Sequence, residues 1–125
     1  MLKVITDIFI ILVALEALGI MILEMFGSQT SLAQKAFSLP LAYLKQPETK
    51  VSMANQGLYN GFIGVGILVT RFSFPTVAIY PGLFLFIGFV VIAAIFGAIT
   101  VSCKIIITQG LPAMIALIFL LITAG

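Results

Sequence analysis

The hydrophobic positions of the chain form four long runs, separated by one longer and two short polar segments. The first run covers about residues 5–26, which as a helix would extend about 33 Å and cross the hydrocarbon core of a bilayer. The other runs cover about residues 51–72, 77–102 and 105–123. This pattern predicts four membrane-spanning helices, the last two joined to their predecessors by tight turns.

The segment 27–50 differs in composition, since it mixes lysines, prolines and scattered apolar residues. Thr30 or Ser31 can cap a short helix that Pro40 would end. Two interpretations of the segment stay open. It can lie on the membrane surface as an interfacial linker, or it can form an ordinary loop packed on the helix bundle.

The composition indicates that lipid surrounds most of the chain. Hydrophobic residues make up 62% and charged residues 8%, whereas soluble domains are roughly half apolar and about a quarter charged. The 125 residues leave room for about four crossings and no separate soluble domain. The predicted fold class is therefore an all-α, polytopic membrane protein, a bundle of four transmembrane helices that forms a single domain over residues 1–125. A cleaved signal peptide is disfavoured, because the first apolar run is too long and contains acidic residues.

Several classes of chemistry are disfavoured by what the sequence lacks. A net charge of +2 is too small and too dispersed to indicate nucleic-acid binding. The single cysteine, Cys103, rules out an internal disulfide, and the absence of histidine removes the commonest metal ligand and general base. No phosphate-binding loop, nucleophile elbow or haem motif is present. We therefore predict no cofactor and no metal site, and these motifs assign no catalytic residue, while enzymatic activity stays open.

The basic residues divide unequally between the two sides of the predicted bundle. Four of them flank the first and third loops and two flank the N-terminus and the second loop: Lys35, Lys45, Lys50 and Lys104 against Lys3 and Arg71. Because cytoplasmic loops are enriched in lysine and arginine, the first and third loops are predicted to face the cytoplasm and both termini to face outward.

Polar side chains are concentrated in one half of the predicted bundle, the half next to the first loop. Counting inward at about 1.5 Å per residue places most of them within about 8 Å of that side, and Glu16 and Asn60 about 14–15 Å deep. The half nearer the termini is predicted to be mostly plain hydrocarbon. We expect a polar pocket that is open toward the first loop and closed at the other end, with these ligand-binding or proton-binding candidates: Glu16, Glu24, Asn55, Gln56, Tyr59, Asn60, Thr100, Lys104 and Gln109.

Helical spacing supports the convergence of these side chains. Gln56 and Asn60 are four residues apart and share one face of a helix. Gly57 and Gly61 have the same spacing and form a Gly-xxx-Gly pair, which lets two membrane helices approach closely. Gln109, followed by a glycine and Pro112, indicates a local irregularity or a kink near the start of the last helix.

Glu16 is the candidate with the most specific chemistry. A carboxyl group near the middle of a membrane can bind and release a proton, or it can hold a cationic ligand. Alternatively, a protonated Glu16 can bond Asn60 and clamp two helices together. Glu24 lies nearer the interface and can reach water or Lys104 instead of a ligand. The amides and Tyr59 suit either ligand binding or interhelical hydrogen bonds.

The motifs of this chain resemble those of DUF1304, a family of small bacterial membrane proteins of unknown function. The similarity extends over all four helices and rests on residues 15–16, 23–26, 54–61, 97–102 and 109–113. It implies four membrane spans and a bacterial inner membrane, and it supplies no activity. In that family a histidine often follows the first glutamate, where this chain has Ala17, so chemistry based on that histidine is not expected here.

Three functions stay open from the sequence. The first is a membrane protein whose polar pocket binds a small molecule or ion, with proton-coupled transport through Glu16 as its mechanism. The second is a membrane-embedded enzyme that acts on a lipid or another apolar substrate, with Glu16 or Glu24 as its acid or base. The third is an accessory subunit whose polar cluster serves only as structure. The expected partners are the lipid bilayer, a small-molecule or lipid ligand, and a second copy of the chain in a homodimer.

Overall fold

The computed structural model describes residues 1–101, 103–104 and 106–125. Throughout that part of the chain the fold is helical, and it contains no strand. In chain order the helices are α1 (Leu2–Phe26), α2 (Ser31–Phe37), α3 (Leu41–Leu44), α4 (Pro47–Ser73), α5 (Thr76–Thr100), a π-helix (Ile106–Gly110) and α6 (Leu111–Ala124).

The long helices follow the predicted hydrophobic runs, with shifts at their ends. Helix α1 begins three residues earlier than predicted, at Leu2. Helix α4 begins at Pro47, since a proline is tolerated at the first helical position, where its missing N–H has no partner to lose. The predicted end of the third run, Ser102, and the predicted start of the fourth, Ile105, lie outside the described residues.

Three segments among the described residues are long and apolar enough to cross a membrane: Leu2–Phe26, Thr76–Thr100 and Ile106–Ala124. Helix α4 is 27 residues long, but it is not among them, because polar residues occupy its first half. An all-helical chain with three such segments is consistent with a membrane protein. The crossing by α4 stays a prediction.

Helices α1 and α4 form the most extensive helix pair, and glycines allow their close approach. A Cβ atom on Gly57 would lie 2.9 Å from the Cβ of Glu24 and 3.1 Å from the carbonyl oxygen of Met21. One on Gly64 would lie 2.9 Å from the carbonyl oxygen of Ala14. The prediction that the small residues of this stretch permit helix packing is therefore confirmed, and the partner is α1.

An apolar core occupies the middle of the bundle, where α1, α4, α5 and α6 meet. Its buried members are Ile10, Val13, Ala14, Ile67, Leu83, Ile87, Ala113, Ala116 and Leu120. This layer lies between the first-loop end of the bundle and the end that carries the termini.

The segment 27–50 packs against the first-loop end of α1 and α4. The hydroxyl oxygen of Thr30 accepts a hydrogen bond from the backbone N–H of Ala33 at 3.2 Å and caps α2, as predicted. Helix α2 ends at Phe37, and its C-cap residue Ser38 has a left-handed φ of 55°. Ala33 and Leu44 are buried with Met53 of α4, so the segment is packed on the bundle.

A π-helix precedes α6 at the position where the sequence indicated an irregularity. Pro112 has no N–H, and in a regular helix its ring would clash with the carbonyl group of Thr108. The wider turn of Ile106–Gly110 relieves that conflict, and α6 then begins with Pro112 in its first turn. Such π-bulges reorient the side chains that they carry.

The end of the bundle that carries the termini contains a pair of opposite charges. The Nε and Nη2 groups of Arg71 donate to the two carboxylate oxygens of Asp7, each at 2.6 Å. The prediction that this half is mostly plain hydrocarbon is therefore wrong at these residues. The pair connects α1 to the far end of α4, and each charge offsets the cost of placing the other in an apolar environment.

Candidate functional site

A large cavity opens at the first-loop end of the bundle, on the side where the polar residues were predicted to gather. Its volume is about 600 Å³, which lies within the range of pockets that bind small molecules. Side chains from α1 to α5 and from the π-helix border it. The polar and aromatic members of its wall are Glu24, Phe37, Tyr43, Thr49, Ser52, Gln56, Tyr59, Asn60, Phe96, Thr100, Thr108 and Gln109.

A second cavity of about 220 Å³ lies deeper along α1 and adjoins the first. Its polar residues are Glu16, Asn60 and Gln109, and the rest of its wall is apolar. Asn60 and Gln109 border both cavities. The two cavities are therefore neighbours, and two amide side chains lie where they adjoin.

Glu24 and Asn60 form the main polar contact between α1 and α4. The Nδ2 group of Asn60 donates to Oε1 of Glu24 at 2.7 Å, and the Glu24 side chain is 0% exposed. Oε2 of Glu24 has no hydrogen-bond partner among the described residues. Glu24 is therefore closed off from solvent, and its carboxyl group accepts a hydrogen bond from Asn60. It is enclosed in the interface that the adjacent Gly57 permits.

The hydrogen bonds of Asn60 leave one atom of its side-chain amide available for a further bond. Its Nδ2 group donates to Glu24 and also to the backbone carbonyl oxygen of Gln56, at 3.3 Å. Both N–H bonds of the side-chain amide are thus used, and the carbonyl oxygen Oδ1 is left as an acceptor. At the junction of the two cavities, Asn60 offers an acceptor and no further donor.

Glu16 differs from Glu24 in its surroundings. It is half-buried, borders the smaller cavity, and forms no hydrogen bond or ion pair with a described residue. The alternative in which Glu16 bonds Asn60 as a helix clamp is not observed, because the amide group of Asn60 donates to Glu24. Glu24 is thus enclosed by packing, whereas Glu16 borders a cavity.

The nine predicted residues divide into three groups. Six border the larger cavity: Glu24, Gln56, Tyr59, Asn60, Thr100 and Gln109. Glu16 borders the smaller one. Asn55 and Lys104 are exposed and border neither of the two cavities. The structure places neither side chain on the walls of these two cavities, and the turn of α4 directs Asn55 away from the wall that contains Gln56.

Two of the bordering residues are held by local contacts. Tyr59 is 67% exposed, and its ring meets the ring of Phe62 edge-on, with centroids 5.7 Å apart. The hydroxyl group of Thr100 donates to the backbone carbonyl oxygen of Phe96 at 2.7 Å. Both side chains contribute surface to the cavity, but the donor of Thr100 is already used within its own helix.

Three aromatic residues of the cavity wall were not among the predicted candidates. Phe37 and Tyr43 come from α2 and α3, and Phe96 from α5. Phe96 is one turn before Thr100, so helical spacing could have placed it on the same face. No comparable signal was available for Phe37 or Tyr43, because the packing of the segment 27–50 had two open interpretations.

Comparison with known proteins places the chain in a family. Residues 11–121 match a family described as "Protein of unknown function (DUF1304)". The chain belongs to the DUF1304 family. All nine candidate residues fall within the matched segment, whereas Asp7 precedes it.

This DUF1304 chain also has a relative in Lactococcus lactis. It is 35% identical over 116 residues to the "Uncharacterized protein YpaA" of Lactococcus lactis subsp. lactis (strain IL1403), covering 92% of this chain and 95% of that protein. No solved structure matches the chain.

Proposed function

We propose that this DUF1304 protein is an integral membrane protein with four crossings, in which α4 is the remaining span. Helix α4 has 27 residues, or about 40 Å at 1.5 Å per residue, so its length suffices. Gln56 and Asn60 border the internal cavities, and Arg71 pairs with Asp7. These contacts reduce the cost of placing polar side chains at membrane depth.

We propose that the protein lies in a bacterial inner membrane, with the first and third loops in the cytoplasm. We also propose that the protein forms a homodimer. A second copy would cover the side of the cavity where α5 exposes Phe96 and Ile99.

The proposed activity is the binding of a small amphiphilic molecule in the two adjoining cavities. The observation that carries it is Glu16, a half-buried carboxyl group with no partner among the described residues, which borders a cavity with an otherwise mostly apolar wall. A polar group at this depth is costly unless something binds it. Few polar groups on an apolar wall are typical of small-molecule sites.

Proton-coupled transport is the mechanism that we propose for this site. A carboxyl group that faces a cavity can hold either a proton or the ligand. Exchange of one for the other would link ligand movement to the proton gradient. Glu24 has a different part in this mechanism, because it fixes Asn60 at the junction of the cavities.

Contact quenching of a single tryptophan tests ligand binding. The chain has no tryptophan, so Phe96→Trp places one reporter on the cavity wall, and Phe72→Trp places a control on the exposed far end of α4, away from both cavities. Para-bromobenzyl alcohol, which has a donor group and a quenching bromine, is titrated into each purified protein. We expect saturable quenching at position 96 and only weak, linear quenching at position 72. Equal and linear quenching at both positions would contradict the proposed function.

A further inference from the structure

The two adjoining cavities have acidic side chains and no basic ones. Glu24 borders the larger cavity and Glu16 the smaller, and no lysine or arginine is among the described residues that line either. The other titratable side chains on their walls are Tyr43 and Tyr59. A ligand with a positive charge would therefore meet carboxyl groups that can ionise and no competing cation on these walls.

The free polar atoms beside Glu16 are acceptors rather than donors. An ionised carboxylate only accepts hydrogen bonds. Asn60 has both of its N–H bonds occupied, by Glu24 and by the carbonyl oxygen of Gln56, so it offers Oδ1 alone. Gln109 can turn its own side-chain carbonyl toward the same space, since its amide is able to accept as well as donate. A group with several N–H donors satisfies this set better than one with a single O–H.

The remaining wall of the smaller cavity suits an apolar body. Most of it is aliphatic, with the ring of Phe89 at one side: Val13, Ala17, Ile20, Ile63, Val90 and Ala93. The larger cavity continues this surface with the rings of Phe37, Tyr43 and Phe96. Aromatic faces attract cations as well as apolar groups, so a ligand that is cationic at one end and apolar at the other fits both.

We propose that the ligand of this site is a protonated amine with an apolar body, held through its N–H groups by the carboxylate of Glu16 and by Oδ1 of Asn60. The proposal rests on the proposed function, because it names the substrate class of the same cavities. Glu24 acts as a positioning residue here, since its bond to Nδ2 of Asn60 directs the amide oxygen toward the ligand.

Binding by this route exchanges one proton for one cation. At a pH where Glu16 is protonated in the free protein, the carboxyl group is neutral before binding, which avoids the cost of an unpaired carboxylate at membrane depth. When the ammonium group arrives, the O–H bond of the carboxyl group breaks and its proton passes to water through the cavity. Hydrogen bonds from the ammonium group to the carboxylate then form, and no covalent bond to the ligand is made. Because protons compete with the ligand, amine affinity should rise with pH while Glu16 is protonated in the free protein.

A matched pair of ligands tests the substrate class. Para-bromobenzylamine and para-bromobenzyl alcohol share the same ring and bromine and differ in charge and in the number of donors. Both are titrated into the Phe96→Trp protein. We expect the amine to bind at least about tenfold more tightly near neutral pH, since charge-assisted hydrogen bonds are stronger. Toward lower pH, its affinity should fall by up to about tenfold per pH unit, while that of the alcohol stays constant.

Three substitutions of the same kind locate the effect. Glu16→Gln should remove the preference for the amine and its pH dependence, and should retain binding of the alcohol. Glu24→Gln should weaken the amine preference only partly. Glu48→Gln changes an exposed residue at the start of α4 and should leave both titrations unchanged.

The outcomes separate this inference from the proposed function. If the alcohol binds saturably while the amine binds no better and shows no pH dependence, the substrate class is wrong and the proposed function stands. If neither ligand gives saturable quenching, the proposed function fails as well. The comparison of the two ligands in protein with unaltered glutamates decides the matter even if Glu16→Gln fails to fold.

Discussion

At the scale of single residues, the proposed binding site depends on the different surroundings of Glu16 and Glu24. Glu24 is enclosed between α1 and α4 and bonded to Asn60, whereas Glu16 borders a cavity. Depth counting along the sequence selected both acids but ranked them by distance from the interface. It could not identify which acid receives the amide of Asn60, because that choice depends on the rotation of α1 against α4.

The contact between Asn60 and Glu24 yields a paired prediction on stability. Asn60→Leu removes the donor to Oε1 of Glu24 and leaves a buried carboxyl group without any partner among the described residues. We expect the free energy of unfolding to fall by about 1–3 kcal/mol, measured as a lower midpoint of thermal unfolding in detergent. The matched control is Asn55→Leu, since Asn55 is exposed on the same helix and borders neither cavity. A similar loss in both variants would contradict the specific role of Asn60.

A second residue-scale prediction concerns the glycine that lets α1 approach α4. Gly57→Ala would place a Cβ atom 2.9 Å from the Cβ of Glu24 and from the Cγ of Met25, so the helices must separate. We expect a destabilisation of about 1–3 kcal/mol, typical of overpacking, and weaker binding of the bromobenzyl ligands. Gly19→Ala is the control, because a Cβ at Gly19 of α1 meets nothing within 4 Å. Its thermal midpoint should stay constant or rise.

At the scale of helices, the length and the irregularities of each helix could be predicted from the sequence, but the contacts between helices could not. The hydrophobic runs indicated the long helices, and Pro112 indicated the distortion that appears as a π-helix. The pairing of α1 with α4 follows from glycines whose partner helix the sequence does not specify. Asp7 and Arg71 illustrate the same limit. Both lie near the terminal ends of predicted spans, and only the packing of α1 against α4 brings them together.

The ion pair provides a prediction at this scale. Arg71→Gln or Asp7→Asn leaves one charge without its partner near the terminal end of the bundle. Each side chain of the pair is about 30% exposed, so solvent and lipid headgroups offset part of the loss, and we expect each substitution to cost about 1–2 kcal/mol.

A double-mutant cycle distinguishes a coupled pair from two independent effects. If the pair is coupled, the double variant Asp7→Asn/Arg71→Gln should be destabilised by less than the sum of the single variants. Thermal unfolding in detergent measures all four proteins. Strict additivity would show that the contact between Asp7 and Arg71 does not stabilise the link between α1 and α4.

At the scale of the whole molecule, the protein is a helix bundle with polar groups toward both ends and an apolar layer between them. Composition alone indicated helices in lipid, and three segments fit that description by length and composition. The fourth proposed span, α4, is more polar, since its first half supplies polar residues to the walls of the cavities. The polar stretch that defines the candidate site is also what keeps α4 from resembling an ordinary transmembrane helix.

The arrangement across the membrane is tested with the single native cysteine. Cys103 is exposed in the turn after α5, on the side predicted to be cytoplasmic by its lysines. An impermeant maleimide should therefore label it in inverted vesicles and not in intact cells. With Cys103→Ser, a cysteine placed at the exposed position of Ser73 should show the opposite pattern if α5 crosses the membrane. Labelling of both cysteines from the same side would contradict the four-span arrangement.

The most direct test of the central claim is the reaction of the carboxyl groups with an apolar carbodiimide, located by mass spectrometry of peptides. Such reagents modify protonated carboxyl groups that they can reach within a membrane protein. The account predicts that Glu16 reacts, that enclosed Glu24 reacts far more slowly, and that para-bromobenzylamine protects Glu16. Faster modification of Glu24 than of Glu16, or modification of Glu16 that the amine does not slow, would contradict it.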